Sequence, residues 1–258
     1  MLERLLAILL AASLSAPGFA QSALEARADI SAHKAADMST SELRMALARG
    51  DVLLLDARPR KEYAISHIPT ALNLAPKPGL APNLYVSDIT EVARLVKGDK
   101  NKPLILYCNG PTCGKSRRLA DELLAAGYSS VRRYQLGAPG WRLLGGALCT
   151  LPEALRYLAS DKTAVWIDAR SPELFAKGSL ANARNIPASQ LRNARETGVM
   201  LTAKQDGRLP MEDHNTRIIV FGAGEADARA VANAIFGEAF QNVSFVAEPF
   251  ERVSRSFH

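Results

Sequence analysis

Residues 104–127, LILYCNGPTCGKSRRLADELLAAG, decide how the fold is read. Leu104, Ile105, Leu106 and Tyr107 form a short unbroken apolar run, which predicts a strand buried on both faces of a parallel sheet. Cys108 then stands at the C-terminal edge of that strand. From Ser116 onward Leu119, Ala120, Leu123 and Leu124 recur at helical spacing, with Ser116 the expected N-cap and Gly127 the expected stop at C′. A compact loop, Asn109 to Lys115, joins strand to helix. Its backbone N–H groups and the helix N-terminus behind it suit an anion. That anion is read as the Cys108 thiolate, because Lys115, Arg117 and Arg118 lie within the same few residues and neighbouring cations lower a thiol's pKa. Such a setting makes an activated nucleophile. The opposing reading is an inert, half-buried cysteine at a strand end.

Working outward, residues 21 to 37 are small and polar and read as a leader or linker. Ser41 or Thr40 is expected to cap a helix carrying Leu43, Met45 and Leu47 that ends at Gly50, and VLLLD predicts a second buried strand. HIPTALNL predicts a short strand after a turn at Pro69. A Pro-rich loop from Ala75 to Pro82 leads to a helix in DITEVARLVKG, and VRRYQL predicts a last strand before the turn GAPGW. Alternating strands and helices predict a parallel α/β sheet with its site at the C-terminal strand edges.

The same order then recurs. Asp56, Ala57 and Arg58 return as Asp168, Ala169 and Arg170, 112 residues later, and Asn73 and Asn185, like Ser116 and Ala228, keep that offset. This is an internal duplication with its boundary between Trp141 and Leu151. Two domains are expected, 38–148 and 149–258. In the second copy Gly222 takes the place of Cys108, and Glu225 and Asp227 replace the cations. That copy is therefore expected to be structural or regulatory, and a chain ending near residue 148 to keep its turnover.

Composition narrows the function classes. The net charge of +6 falls entirely in the first half, with 18 Lys and Arg against 12 Asp and Glu from Gln21 to Leu148, and 13 against 13 from Cys149 to His258. A mildly positive field favours a small anionic substrate. With no basic run and no aromatic stacking set, nucleic-acid binding is not expected. The N-terminal MLERLLAILLAASLSAPGFAQSA has the layout of a secretory signal peptide over residues 1–20, with an uncleaved anchor as the alternative, and no later stretch predicts a membrane span. A periplasmic or secreted location follows as an expectation. Three cysteines, Cys108, Cys113 and Cys149, are too few and odd in number for a disulfide framework. Cys108 and Cys113 are close enough in one loop to pair, given a suitable loop geometry, so a redox role for them stays open.

The motifs DARPRKEYAISHIPTALNL and LILYC…S…LADELLAAGYSSVRRYQLGAPGW resemble the opening and closing motifs of the rhodanese homology domain, over residues 38 to 142 and more faintly over 150 to 250. The resemblance implies two tandem α/β domains, each a parallel sheet of about five strands flanked by helices. It also implies a cysteine that carries sulfane sulfur as a persulfide between donor and acceptor. The first loop departs from the family pattern by two extra residues, Cys108 lying eight before Ser116, and Ser66 replaces a glycine before His67. Its Cys-Asn-Gly-Pro-x-Cys is similar to that of a subset of secreted bacterial rhodaneses.

The resulting expectation is a sulfurtransferase in which Cys108 is the nucleophile. Asn109, Gly110, Thr112, Cys113, Gly114, Lys115, Ser116 and Arg117 surround the substrate, a small anionic sulfur donor, and a thiol or cyanide-like acceptor takes the sulfur. No cofactor and no metal are called for, since Cys108, Cys113 and His67 lack a fourth ligand and zinc spacing. His67 is read as structural, Asp56 and Arg58 as a turn-fixing pair, Trp141 as core or pocket wall, and Cys149 as a small buried hydrophobe in the linker. The rivals are a non-catalytic binding protein and a thiol–disulfide protein using Cys108 and Cys113. An arginine six residues after the cysteine, as a phosphatase or arsenate reductase of related fold requires, is absent, because position 114 is Gly114.

Overall fold

The computed structural model describes residues 34–74, 88–192 and 197–257. The expected signal peptide and the Pro-rich loop lie outside the described residues. The first copy runs β1 (Ala36–Asp37), α1 (Thr40–Arg49), β2 (Leu53–Asp56), α2 (Arg60–Ile65), β3 (Leu72–Asn73), α3 (Ile89–Leu95), β4 (Leu104–Tyr107), α4 (Gly114–Ala125), β5 (Val131–Tyr134) and α5 (Gly137–Leu144). The second runs β6 (Leu148–Thr150), a 3-10 turn, α6 (Leu155–Leu158), β7 (Val165–Asp168), α7 (Pro172–Ala176), β8 (Arg184–Asn185), a second 3-10 turn, α8 (Gly198–Gln205), β9 (Ile218–Gly222), α9 (Glu225–Gly237), β10 (Val243–Pro249) and α10 (Phe250–Arg255). Each copy forms a five-stranded sheet, ordered β1-β5-β4-β2-β3 and β6-β10-β9-β7-β8, with every pair parallel. The two orders are the same position for position, as a duplication requires.

The central strands β4 and β9 are buried at every residue, which explains why their sequences are unbroken apolar runs. On one face of the first sheet Leu119, Ala120 and Leu123 of α4 pack into a single cluster with Leu55, Leu104, Leu106 and Val131. In the second, Ala228, Val231, Ala232 and Ile235 of α9 do the same against Ile167, Ile218, Val220 and Phe245.

Several local expectations need correction. Residues 36–37 are not linker: they hydrogen-bond beside β5 as an edge strand. The cap of α1 is Ser39, whose hydroxyl accepts from the Glu42 N–H while Glu42 reaches back to the Ser39 N–H, a reciprocal capping box. GAPGW is helical, because Leu136, Ala138 and Trp141 are buried together and Trp141 meets the Tyr134 ring edge-on at 6.5 Å. Cys149 is not in a linker but in β6, paired with Phe245 of the second sheet, so that sheet begins at Leu148.

The two copies are also joined. His67 forms an antiparallel bridge with Cys149, its N–H donating to the Cys149 carbonyl at 2.9 Å and its own carbonyl accepting from Cys149 at 2.8 Å. The Leu151 N–H donates to the Ala64 carbonyl at 2.9 Å and the Thr150 hydroxyl to the Ile65 carbonyl at 2.9 Å. Ala64 packs in the second copy's core with Leu155, Ile219, Phe221 and Val253. The segment 64–67 of the first copy thus extends the second sheet beyond β6.

This seam ties the stability of the first copy to the second. A chain ending at Ala147 removes four hydrogen bonds from segment 64–67, each worth about 0.5–1.5 kcal/mol. It is expected to lose stability on the order of 2–6 kcal/mol, measured as the denaturant midpoint against the full chain. Equal midpoints would show the seam to be inert. A second outcome concerns His67, which is 4% exposed, stacked on Tyr63 at 4.0 Å, and donates from Nδ1 to the Tyr63 carbonyl at 2.9 Å. Burial pushes its pKa down to about 4. Since the folded value lies below the unfolded one of about 6.5, its contribution is complete above pH 6.5 and is lost as pH falls toward 4, about 2 kcal/mol of it by pH 5. Melting temperatures between pH 7 and 5 should fall more steeply for the wild type than for His67→Gln.

Candidate active site

β4 is the middle strand of its sheet, so the chain leaves it at the centre of the C-terminal edge. Cys108 follows immediately and is 1% exposed. The chain then passes Asn109 and turns over Gly110, Pro111 and Thr112, with the Cys113 N–H donating to the Gly110 carbonyl at 3.0 Å. Gly110 has φ +115°, a conformation that side chains disfavour, and proline in the next position suits the turn. Cys113 caps α4 in place of the expected Ser116. The helix starts three residues earlier than an N-cap at Ser116 predicts, because Gly114 and Lys115 enter its first turn without needing to face the core.

The turn returns Cys113 onto Cys108. Their Cα atoms are 6.2 Å apart and the two sulfurs are joined as a disulfide, a separation within the ordinary range for one. The expected free thiolate is therefore absent from this form of the protein. The loop is pinned from below by the turn between β5 and α5: the Ala138 N–H donates to the Cys108 carbonyl at 3.0 Å. Gly137, at φ +64°, lies so close that a Cβ there would sit 2.2 Å from the Cys108 oxygen and 2.6 Å from the Gly110 nitrogen. At the rim, the Asn109 amide donates to Glu62 of α2 at 2.5 Å.

The expected site residues divide by position. Asn109, Thr112, Gly114 and Arg117 are exposed, Cys113 and Lys115 are partly exposed, and Gly110 is buried. Arg117 folds back toward the loop, its Nη2 lying 3.9 Å from where a Gly114 Cβ would be. Ser116 is only 1% exposed and faces the sheet. Gly137, Glu62 and Arg133 were not anticipated. Arg133 pairs in register with Leu106, is 1% exposed and lies 3.4 Å from Asp37. Burial lowers its pKa, and the charge of Arg117 works in the same direction. The glycine that opens GAPGW, three residues past the end of β5, was a readable signal for Gly137, whereas nothing local distinguishes Arg133 from Arg132.

Asp56 and Arg58 form a turn-fixing pair, as expected. Asp56 is fully buried and accepts from Arg58 Nε at 3.0 Å and Nη2 at 2.6 Å, and Nη2 also donates to the Ser66 carbonyl at 2.6 Å. With these donors engaged, Arg58 serves the frame of the site. The third thiol, Cys149, is buried, and burial pushes its pKa up to about 12.

The second copy repeats the frame without the chemistry. Tyr107 pairs with Asp56 and Phe221 with Asp168, so Gly222 stands where Cys108 does. Only Ala223 and Gly224 separate it from α9, whose first turn carries Glu225 and Asp227. A side chain at 222 would come within 3.1 Å of the Asp227 Cβ and 3.2 Å of the Ala228 nitrogen. Among the described residues no group of His, Cys, Asp and Glu is placed to hold a metal ion, and no helix is long and apolar enough to cross a membrane.

Comparison with known proteins gives the family. The rhodanese-like domain model matches residues 39–144 and again 151–255. The thiosulfate:glutathione sulfurtransferase of Saccharomyces cerevisiae is 31% identical over 100 residues, 37% of this chain and 68% of that protein. An HTH-type transcriptional regulator of Mycobacterium tuberculosis is 28% identical over 120 residues, 46% of this chain and 47% of the regulator, so the chain spans about half that relative's length. Among solved structures, a thiosulfate sulfurtransferase from Pseudomonas aeruginosa aligns over 86% of this chain and 43% of its own, with 22% identity and a TM-score of 0.37. With both of its sheets accounted for by matches to one domain model, the chain belongs to the rhodanese-like domain family, in two tandem copies.

Proposed function

We propose that the reduced protein is a sulfurtransferase acting through its first domain. The Cys108 thiolate attacks the outer sulfur of a thiosulfate-like anion, the sulfur–sulfur bond of the donor breaks, and sulfite leaves with the electron pair. The persulfide then passes its sulfur to a thiol or cyanide-like acceptor. The observation that carries this reading is the position of Cys108, delivered by the central strand to the C-terminal sheet edge and wrapped by the loop that caps α4. The N-terminal end of α4 favours negative charge there. Asn109, Gly110, Thr112 and Gly114 supply the backbone around the sulfur, and Lys115 and Arg117, in the first turn, receive the anionic donor. The second domain holds the first in shape. A periplasmic or secreted location belongs to the same proposal, on the pattern of residues 1–20 and on a loop able to close as a disulfide. That disulfide also favours a second reading, a thiol–disulfide protein using Cys108 and Cys113.

Cys108→Ser is expected to reduce thiosulfate-dependent sulfur transfer more than tenfold while the circular dichroism spectrum stays native, because the nucleophile is lost and a near-isosteric group remains. Residual turnover above a tenth of wild type would identify the wrong cysteine. Replacing Lys115 and Arg117 together by glutamine should raise the Cys108 thiol pKa by about one unit, since neighbouring cations hold thiolates. The pH dependence of Cys108 alkylation reads this, on a reduced Cys113→Ser, Cys149→Ser background. An unchanged titration would leave the helix end and the loop amides as the source of any activation.

A further inference from the structure

The extra length of the first loop and its second thiol occur together. The second copy passes from β9 to α9 through Ala223 and Gly224, whereas the first inserts the turn Gly110–Pro111–Thr112 and lands Cys113 on Cys108. Five extended residues would reach roughly 17 Å, so the 6.2 Å Cα separation is the work of that turn. Cys113 makes no capping hydrogen bond with its side chain, and its place at the end of α4 favours the thiolate. The remaining cysteine, Cys149, is buried in β6.

Resting on the reading of Cys108 as the sulfur acceptor, we propose that Cys113 is a resolving thiol that discharges the Cys108 persulfide as hydrosulfide. The protein then completes a reductive cleavage of the sulfane donor without a separate sulfur acceptor. In the step, the Cys113 thiolate attacks the Sγ of Cys108 and forms the sulfur–sulfur bond seen in the structure. The bond from Cys108 Sγ to the outer sulfur of the protonated persulfide breaks, and hydrosulfide leaves with its electron pair. The two cysteine thiols supply the two electrons that reduce the sulfane sulfur, and they end as the disulfide. A dithiol reductant resets the loop. Its thiolate attacks the partly exposed Cys113 sulfur, because Cys108 is 1% exposed, so Cys108 is released as the thiolate ready for the next donor. The alternative attack, by Cys113 on the outer sulfur, would move the persulfide to Cys113. The structure instead bonds Cys113 to the inner sulfur, the one whose attack expels hydrosulfide.

The test is a single turnover with the full chain, reduced by a dithiol, freed of reductant, and mixed anaerobically with excess thiosulfate. Sulfite, hydrosulfide and intact protein mass are measured. Wild type should release one hydrosulfide per sulfite and finish two hydrogens lighter, with Cys108 and Cys113 linked. Cys113→Ser and Cys113→Ala should each release sulfite, yield at least tenfold less hydrosulfide, and carry one added sulfur on the peptide containing Cys108. Wild type that keeps the added sulfur as long as either variant overturns the resolving role and leaves sulfur uptake standing. So does hydrosulfide release by a variant at the wild-type rate. No sulfite from any of the three proteins overturns the reading of Cys108 itself, and the proposal with it.

Discussion

The structure depends on a charge pair taken wholly out of water. Asp56 is 0% exposed at the end of β2, and its burial is offset by the two-point contact with the Arg58 guanidinium and by the Arg58 N–H, which donates to Oδ1 at 2.9 Å. The remaining donors and acceptors tie neighbouring segments to it. Arg58 donates to the Ser66 carbonyl, Asn73 donates to the carbonyls of Asp56 and Arg58, and the Tyr107 hydroxyl accepts from the Ile68 N–H at 3.1 Å. The pair thus fixes, at once, the end of the strand beside β4 and the path of residues 66–68. That path is the one on which the second copy docks.

The second copy contains the same bracket. Arg170 meets Asp168 at 2.6 Å and donates to the Gly178 carbonyl at 2.7 Å, and Asn185 spans the carbonyls of Asp168 and Arg170. One position differs with consequence. Ser179, where the first copy has His67, donates to Asp168 at 2.7 Å, whereas His67 turns to the Tyr63 carbonyl and lends its backbone to Cys149. A shared frame therefore supports two uses, a seam in one copy and a self-contained edge in the other.

The loops diverge more sharply than the frames. In the first copy, space under the loop comes from Gly137, and the loop's length is taken up by a turn that places one sulfur on another. In the second, Gly222 is crowded by Asp227 and Ala228, and Arg229 is drawn 3.4 Å from Glu225. A nucleophile at 222 would meet carboxylates where the first copy presents Lys115 and Arg117.

The sequence alone was sufficient for whatever depends on local pattern. Unbroken apolar runs marked β2, β4 and β9, helical spacing marked α4, and a constant offset between Asp56 and Asp168 revealed two copies, because burial on both faces and duplication each leave a direct trace in residue order. Cys108 at a strand end was legible for the same reason. What needed the folded chain was every contact whose strength comes from distant residues. Ser39 rather than Thr40 or Ser41 caps α1 because Glu42 answers it. GAPGW is a helix because Trp141 finds Tyr134, and Arg133 is buried because its strand lies under α4 beside Asp37. Residues 64–67 and 149–151 look like a turn and a linker in sequence. They become a joint only in three dimensions, where backbone groups unpaired in either copy are satisfied by the other.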